Sequence, residues 1–155
     1  MSVRDVWGRR KRLLQVLGLL AILGGGVGAF VGFGPPGLYA RSGTPEFCAG
    51  CHVMESQYEN WFHHGAHRRA KCVDCHLPND HAVRHFVWKG IDGTWDAYVY
   101  YSGQVPDTIT LSKAGAAIVR ENCFRCHAEM VSRINEDRNC WQCHRRVSHK
   151  SVGAM

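Results

Sequence analysis

The chain has 155 residues, a formal net charge of +6, 45% hydrophobic residues and eight cysteines. The length allows about one domain. The charge does not point to nucleic acid, because Arg4, Arg9, Arg10, Lys11 and Arg12 against Asp5 place most of the excess at the amino terminus, and the later cations are scattered.

In chain order, residues 1–12 form a basic amino-terminal segment. From Leu13 to Phe33 run twenty-one residues without a charge, with Gln15 the one polar side chain. As a helix this stretch is about 30 Å long, the hydrocarbon thickness of a bilayer, so a transmembrane signal anchor is expected over 13–33. The competing reading is a cleaved signal peptide, whose apolar region runs about 7–15 residues and ends in a small-x-small site. Phe33-Gly34-Pro35-Pro36-Gly37-Leu38-Tyr39-Ala40 offers no convincing site of that kind. The basic flank Arg9 to Arg12 then sets the orientation: residues 1–12 in the cytoplasm, and 34–155 on the periplasmic side of the inner membrane. Within the span, Gly24, Gly28 and Gly32 share one helix stripe. Such a stripe lets a second copy or a partner's helix approach closely, a homo-oligomer being one reading and the ordinary glycine content of membrane helices the other.

Beyond the Pro35-Pro36 break lie four short motifs: Cys48-Ala49-Gly50-Cys51-His52, Cys72-Val73-Asp74-Cys75-His76, Cys123-Phe124-Arg125-Cys126-His127 and Cys140-Trp141-Gln142-Cys143-His144. No cysteine is left over. C-x-x-C-H is the signature of c-type haem attachment, in which two thiols add to the porphyrin vinyl groups and the adjacent His reaches the iron. C-x-x-C also marks zinc and thioredoxin-like sites, but neither needs a His after every pair. Four covalently bound haem c groups account for every Cys and for all four His. Nineteen residues separate His52 from Cys72, twelve separate His127 from Cys140, and forty-six separate the two pairs, which suggests a loose duplication of a two-haem unit.

Haem iron takes a ligand on each face. His52, His76, His127 and His144 can each supply one ligand from its motif, and His63, His64, His67, His81, His85 and His149 remain. His67, five residues before Cys72, and His149, five after His144, are the candidates for opposite faces, set against an ordinary exposed or hydrogen-bonded His. The other four are reserves. Leu111 to Glu121 reads as a helix capped by Ser112, and Asp80 to Trp88 as another capped by Asp80. No alternating strand pattern stands out. The fold class expected is mainly α with much coil: one transmembrane helix, then a small multihaem cytochrome c domain built around four haems.

The anchor, the four sites and the run Cys48-Ala49-Gly50-Cys51-His52-Val53-Met54 together resemble the NapC/NirT family of membrane-bound quinol dehydrogenases, in particular its branch of nitrite reductase small subunits. The resemblance spans essentially the whole chain. It is carried by the C-x-x-C-H-x-M first site, His67, the Lys89 to Tyr98 stretch and the closing Cys143-His144-Arg145-Arg146-Val147-Ser148-His149. It implies that Met54 ligates the first haem and leaves His52 off the iron, a thioether being a weaker haem ligand than imidazole. The ordinary alternative is His52 ligation with Met54 packed at the haem edge. The resemblance also implies that Lys89 and Asp96 serve quinol chemistry. They are seven apart, on one face if the stretch is helical, although Gly90 and Gly93 weigh against a helix. Without the resemblance they would read as a solvated charge pair. The function implied is oxidation of menaquinol at the bilayer, with electrons passing to the multihaem catalytic subunit of cytochrome c nitrite reductase. A NapC-like donor to a different periplasmic reductase and a non-catalytic haem sensor are the alternatives.

Overall fold

The structure, a computed structural model, describes residues 3–35, 37–63, 67–134 and 138–149, without the side chains of residues 3–6 and 148. Pro36 and His64 lie outside the described residues. Regular structure among those described is helical throughout: α1 (Val3–Phe33), α2 (Leu38–Arg41), α3 (Pro45–Cys48), α4 (Glu55–His63), α5 (Cys72–His76), α6 (Ala82–Tyr101) and α7 (Lys113–Val131). Single 3-10 turns cover His52–Met54, Cys140–Gln142 and Arg145–Ser148. The mainly helical class with much coil is thus what the chain adopts.

The chain divides into two compact units, residues 1–42 and 43–155. In the first, α1 is long and apolar enough over Trp7–Phe33 to cross a membrane. It stops where Gly34 N–H closes a last bond to the Phe30 carbonyl at 2.7 Å, a fit so close that a Cβ on Gly34 would collide with that oxygen. Gly37, at φ 56°, then takes the left-handed conformation that leads into α2.

The second unit has little apolar core of its own. Pro45, Leu77, Pro78, Ile118 and Val119 are its buried apolar side chains among the described residues. A polar hub holds it instead. Asn122 of α7 is buried and donates to the carbonyls of Cys75 (3.0 Å) and Leu77 (2.8 Å), while its own oxygen accepts from Asn79 (3.3 Å) and Arg125 (3.2 Å). Arg125 also donates to the Asp74 carbonyl at 3.1 Å. This seam packs α7 against α5.

The two sequence-predicted helices are present and longer than expected. Ser112 caps α7 by accepting from Gly115 N–H at 3.0 Å, and the helix runs past Glu121 to Val131, since Ala, Arg and Glu favour it and no Gly or Pro interrupts it after Gly115. The backbone breaks only at His127 (φ −120°, ψ 16°). The cap of α6 is His81, not Asp80: His81 Nδ1 accepts from Val83 N–H at 3.2 Å, whereas Asp80 pairs with Arg84 one turn on, at 2.9 Å. Gly90 and Gly93 do not break α6. Each costs about 1 kcal/mol relative to alanine, and α6 is fastened on either side of them by Arg84 to Glu121 (3.0 Å), His85 to the Pro78 carbonyl (2.8 Å) and Tyr100 to His52 (3.2 Å).

Candidate functional site

Each motif sits on a tight turn that brings its two thiols to one side. Thr44 caps α3 by accepting from Phe47 N–H at 3.3 Å, and Cys48 ends that helix; Cys51 then leads into the His52–Met54 turn. Asp74 accepts from Lys71 N–H at 2.8 Å and so fixes the start of α5, which is the second motif entire. The third motif is the body of α7, with His127 at its break. The fourth occupies the Cys140–Gln142 turn, and Cys143 and His144 there are exposed.

The thiols also link the motifs to one another in sequence order. Cys72 hydrogen-bonds Cys48, which pulls the Cys48 thiol down to about 7 against the effect of its burial, with the Lys89 charge assisting. Burial pushes Cys75 up, and part of the remainder comes from Asp74 and then from Cys126 of the third motif. Burial and the neighbouring Cys140 push Cys123 up to about 12.

Nearest in sequence is not nearest in space for the surplus histidines. His67 faces His127 of the third motif, ring centroids 6.0 Å apart. His149 faces His76 of the second motif at 6.3 Å. Trp61 fixes the His67 loop by donating to the carbonyls of His67 (3.2 Å) and Ala70 (3.1 Å). Asn60 donates to the His149 carbonyl at 3.2 Å, and His149 itself has φ 50°, the one left-handed residue other than glycine among those described. A β-carbon in that region is strained and must be held there by its surroundings. Burial pushes both His76 and His149 below the ordinary imidazole range, toward the neutral form that binds metal. His63 contacts Glu59 at 3.1 Å, His81 caps α6 and His85 is tied to Pro78, so these three reserves have other engagements. Among the described residues no imidazole stacks across from His144.

These residues fit haem. Two imidazoles sharing an iron at bonds of about 2 Å have ring centroids about 6 Å apart, the spacing of both pairs. The buried indole N–H of Trp88 also has no acceptor within the described protein, as expected beside a group that supplies one. The scant apolar core is what a domain built around cofactors leaves to its side chains.

Lys89 and Asp96 share one face of α6, and both act electrostatically on Cys48 of the first motif. Burial pushes the Asp96 carboxyl above its ordinary range, helped by the neighbouring Asp92, which burial also raises. Lys89 is pushed down by burial. One further turn along the same face, the Tyr100 hydroxyl meets His52 Nδ1 at 3.2 Å. His52 thus has a protein partner available if it does not ligate iron. Sequence reasoning missed Tyr100, Trp61, Asn60 and Asn122, for none of them stands in a motif.

The sequence pattern of the NapC/NirT cytochrome c family, N-terminal region, matches residues 10–130. The chain belongs to the NapC/NirT cytochrome c family. Within that multihaem family it is similar to cytochrome c-type protein NrfH of Wolinella succinogenes, 36% identical over 129 residues, with 74% of this chain and 73% of NrfH covered. It is 26% identical over 176 residues to cytochrome c-type protein NapC of Haemophilus influenzae, covering 91% of this chain and 84% of NapC. Its structure resembles a chain in the crystal structure of the cytochrome c nitrite reductase NrfHA complex bound to the HQNO inhibitor, with TM-score 0.69, 29% identity, and 90% and 93% of the two chains covered. The NapC/NirT cytochromes thus share both this helical fold and a membrane-capable amino-terminal helix with this chain.

Proposed function

We propose that this NapC/NirT cytochrome oxidises menaquinol at the inner membrane and delivers the electrons to the multihaem catalytic subunit of a cytochrome c nitrite reductase. The observation that carries the proposal is that Lys89, Asp96 and Tyr100 share one face of α6 and that this face is fastened to the first motif by the Tyr100–His52 contact at 3.2 Å. The likeness to NrfH and to a chain of the NrfHA complex supports the choice of partner. Residues 13–33 anchor the chain, residues 1–12 stay in the cytoplasm and residues 34–155 form the periplasmic domain.

Eight thioethers, from Cys48, Cys51, Cys72, Cys75, Cys123, Cys126, Cys140 and Cys143, hold four haem c groups in this proposal. Met54 would hold the first iron, His76 and His149 the second, His127 and His67 the third, and His144 the fourth. Bound haem supplies one-electron steps between a two-electron donor and a partner. The protein's own task is the protons. Oxidising a quinol releases two of them, and a positioned carboxylate can take one as the electrons leave. Asp96 is that acceptor, its raised pKa bringing it nearer to a working base, and Lys89 hydrogen-bonds the quinol oxygen.

The test uses the full chain in membranes, with haem content measured alongside. Asp96→Asn keeps the shape and removes the base, so quinol oxidation should fall by about 10²-fold or more, the scale for losing a positioned base. Reduction by an artificial donor should be unchanged. Wild-type quinol oxidation by both Asp96→Asn and Lys89→Met, with four haems bound, would place the site elsewhere. Co-purification from mild detergent identifies the partner, and a reductase of another kind there would favour the NapC-like alternative.

A further inference from the structure

The helix α6 has two unlike faces. His85, Lys89, Asp96 and Tyr100 look inward, where Pro78, Cys48 and His52 meet them. On the opposite side, at spacings of three or four, stand Val83, Val87, Ile91, Trp95, Tyr98 and Tyr101, each at least half exposed. This uncharged stripe is about 27 Å long at the rise of an α-helix. Thr94, which falls within it, turns its hydroxyl back to the Gly90 carbonyl at 2.6 Å and so presents no free donor. Arg84, at its edge, is drawn aside to Asp80 and Glu121. Midway along, Gly90, Ile91, Thr94, Trp95 and Tyr98 line a shallow apolar depression of about 640 Å³.

We propose that this outer face of α6 lies in the surface of the bilayer, as an in-plane helix whose apolar side is buried among lipid headgroups and upper acyl chains. Three observations select lipid as its occupant. An uncharged stripe of this length is rare on a surface that meets only water. Its composition, aliphatic side chains with Trp and Tyr, is that of membrane interfaces. The third is a tether: fourteen residues lie between Phe33, at the end of the membrane-capable helix, and Cys48, so the domain cannot stray more than about 54 Å from where that helix leaves the bilayer. A surface held so close binds lipid at high effective concentration.

The inference rests on the membrane attachment proposed above and is independent of quinol chemistry. It is tested on the haem-loaded full chain in lipid nanodiscs, where the eight motif thiols are consumed and an introduced cysteine alone takes a nitroxide label. Val87→Cys, Ile91→Cys and Tyr98→Cys report α6, Leu20→Cys reports the anchor, and Glu129→Cys is the water-exposed reference. Expected is that α6 labels, like Leu20→Cys, collide with oxygen more than with a soluble nickel chelate, and that Glu129→Cys does the reverse. If Leu20→Cys is in lipid while the α6 labels meet the nickel chelate, the inference fails and the attachment stands. Labels shielded from both reagents, with spin-spin coupling between copies, would assign the face to a second copy and also overturn it. Leu20→Cys in water would overturn the attachment and the inference together.

Discussion

Asp92 and Asp96 stand one turn apart on α6, and their spacing gives the proposed proton acceptor a titration that can be followed. Burial raises Asp96, and the Asp92 charge adds to the rise. An acceptor works only as the carboxylate, so quinol oxidation should increase with pH through a limb lying above the ordinary carboxylate range. Asp92→Asn removes one of the two causes. The limb should then move to lower pH with the plateau rate retained, read from the pH profile of quinol oxidation. A limb that stays in place would mean that Asp96 is not the group titrating. At the first motif, Met54→Leu should change the haem spectrum far more than His52→Ala, because His52 has the Tyr100 hydroxyl as its partner. The opposite ranking would restore His52 as ligand. The motif cysteines and histidines were legible from spacing alone, whereas the role expected of Met54 came only from the family resemblance. The pairing of His67 with His127 and of His149 with His76 was not, because it is made by tertiary contacts: Trp61 on the His67 loop, and Asn60 together with a strained backbone at His149.

Among the elements, α7 carries the most structural weight for its length. It holds the third motif, and through Asn122 it fixes the turn that follows the second. Replacing Asn122 by Leu keeps the volume but takes away the partner of the Cys75 carbonyl and of Arg125 Nε–H, while Asn79 keeps its bond to the Leu77 carbonyl at 2.7 Å. Each buried group so stranded costs about 1–3 kcal/mol. The thermal unfolding midpoint of the haem-loaded chain should drop accordingly, and an unchanged midpoint would show that the seam does not hold α5 to α7. The cap at Ser112 could be read from sequence, since a Ser before an Ala-rich run has a specific local task. The cap of α6 could not, because Asp80 and His81 are adjacent candidates and the choice falls to Arg84, which takes Asp80 for an ion pair. Nor could the persistence of α6 through two glycines, which depends on its fastenings at Glu121, Pro78 and His52.

At the scale of the whole second unit, the order of neighbouring motifs defines a direction. Cys48 hydrogen-bonds Cys72, Cys75 lies in the field of Cys126, and Cys123 hydrogen-bonds Cys140. The first motif adjoins Lys89 and Asp96, while the fourth exposes Cys143 and His144 at the surface. Electrons from quinol should therefore enter at the first site and leave from the fourth, and removing either end should produce opposite defects. With Cys140→Ser and Cys143→Ser, mass spectrometry should find three haems rather than four; quinol should still reduce them, while transfer to the nitrite reductase subunit falls to background. With Cys48→Ser and Cys51→Ser, quinol should reduce nothing, but an artificial donor should restore delivery to the partner. The small apolar core makes loss of the fold a risk in both variants, so retained helix content and the count of three haems are read first. If the fourth-site variant still drives the partner at the wild-type rate, the exit lies at another motif and the linear order is wrong.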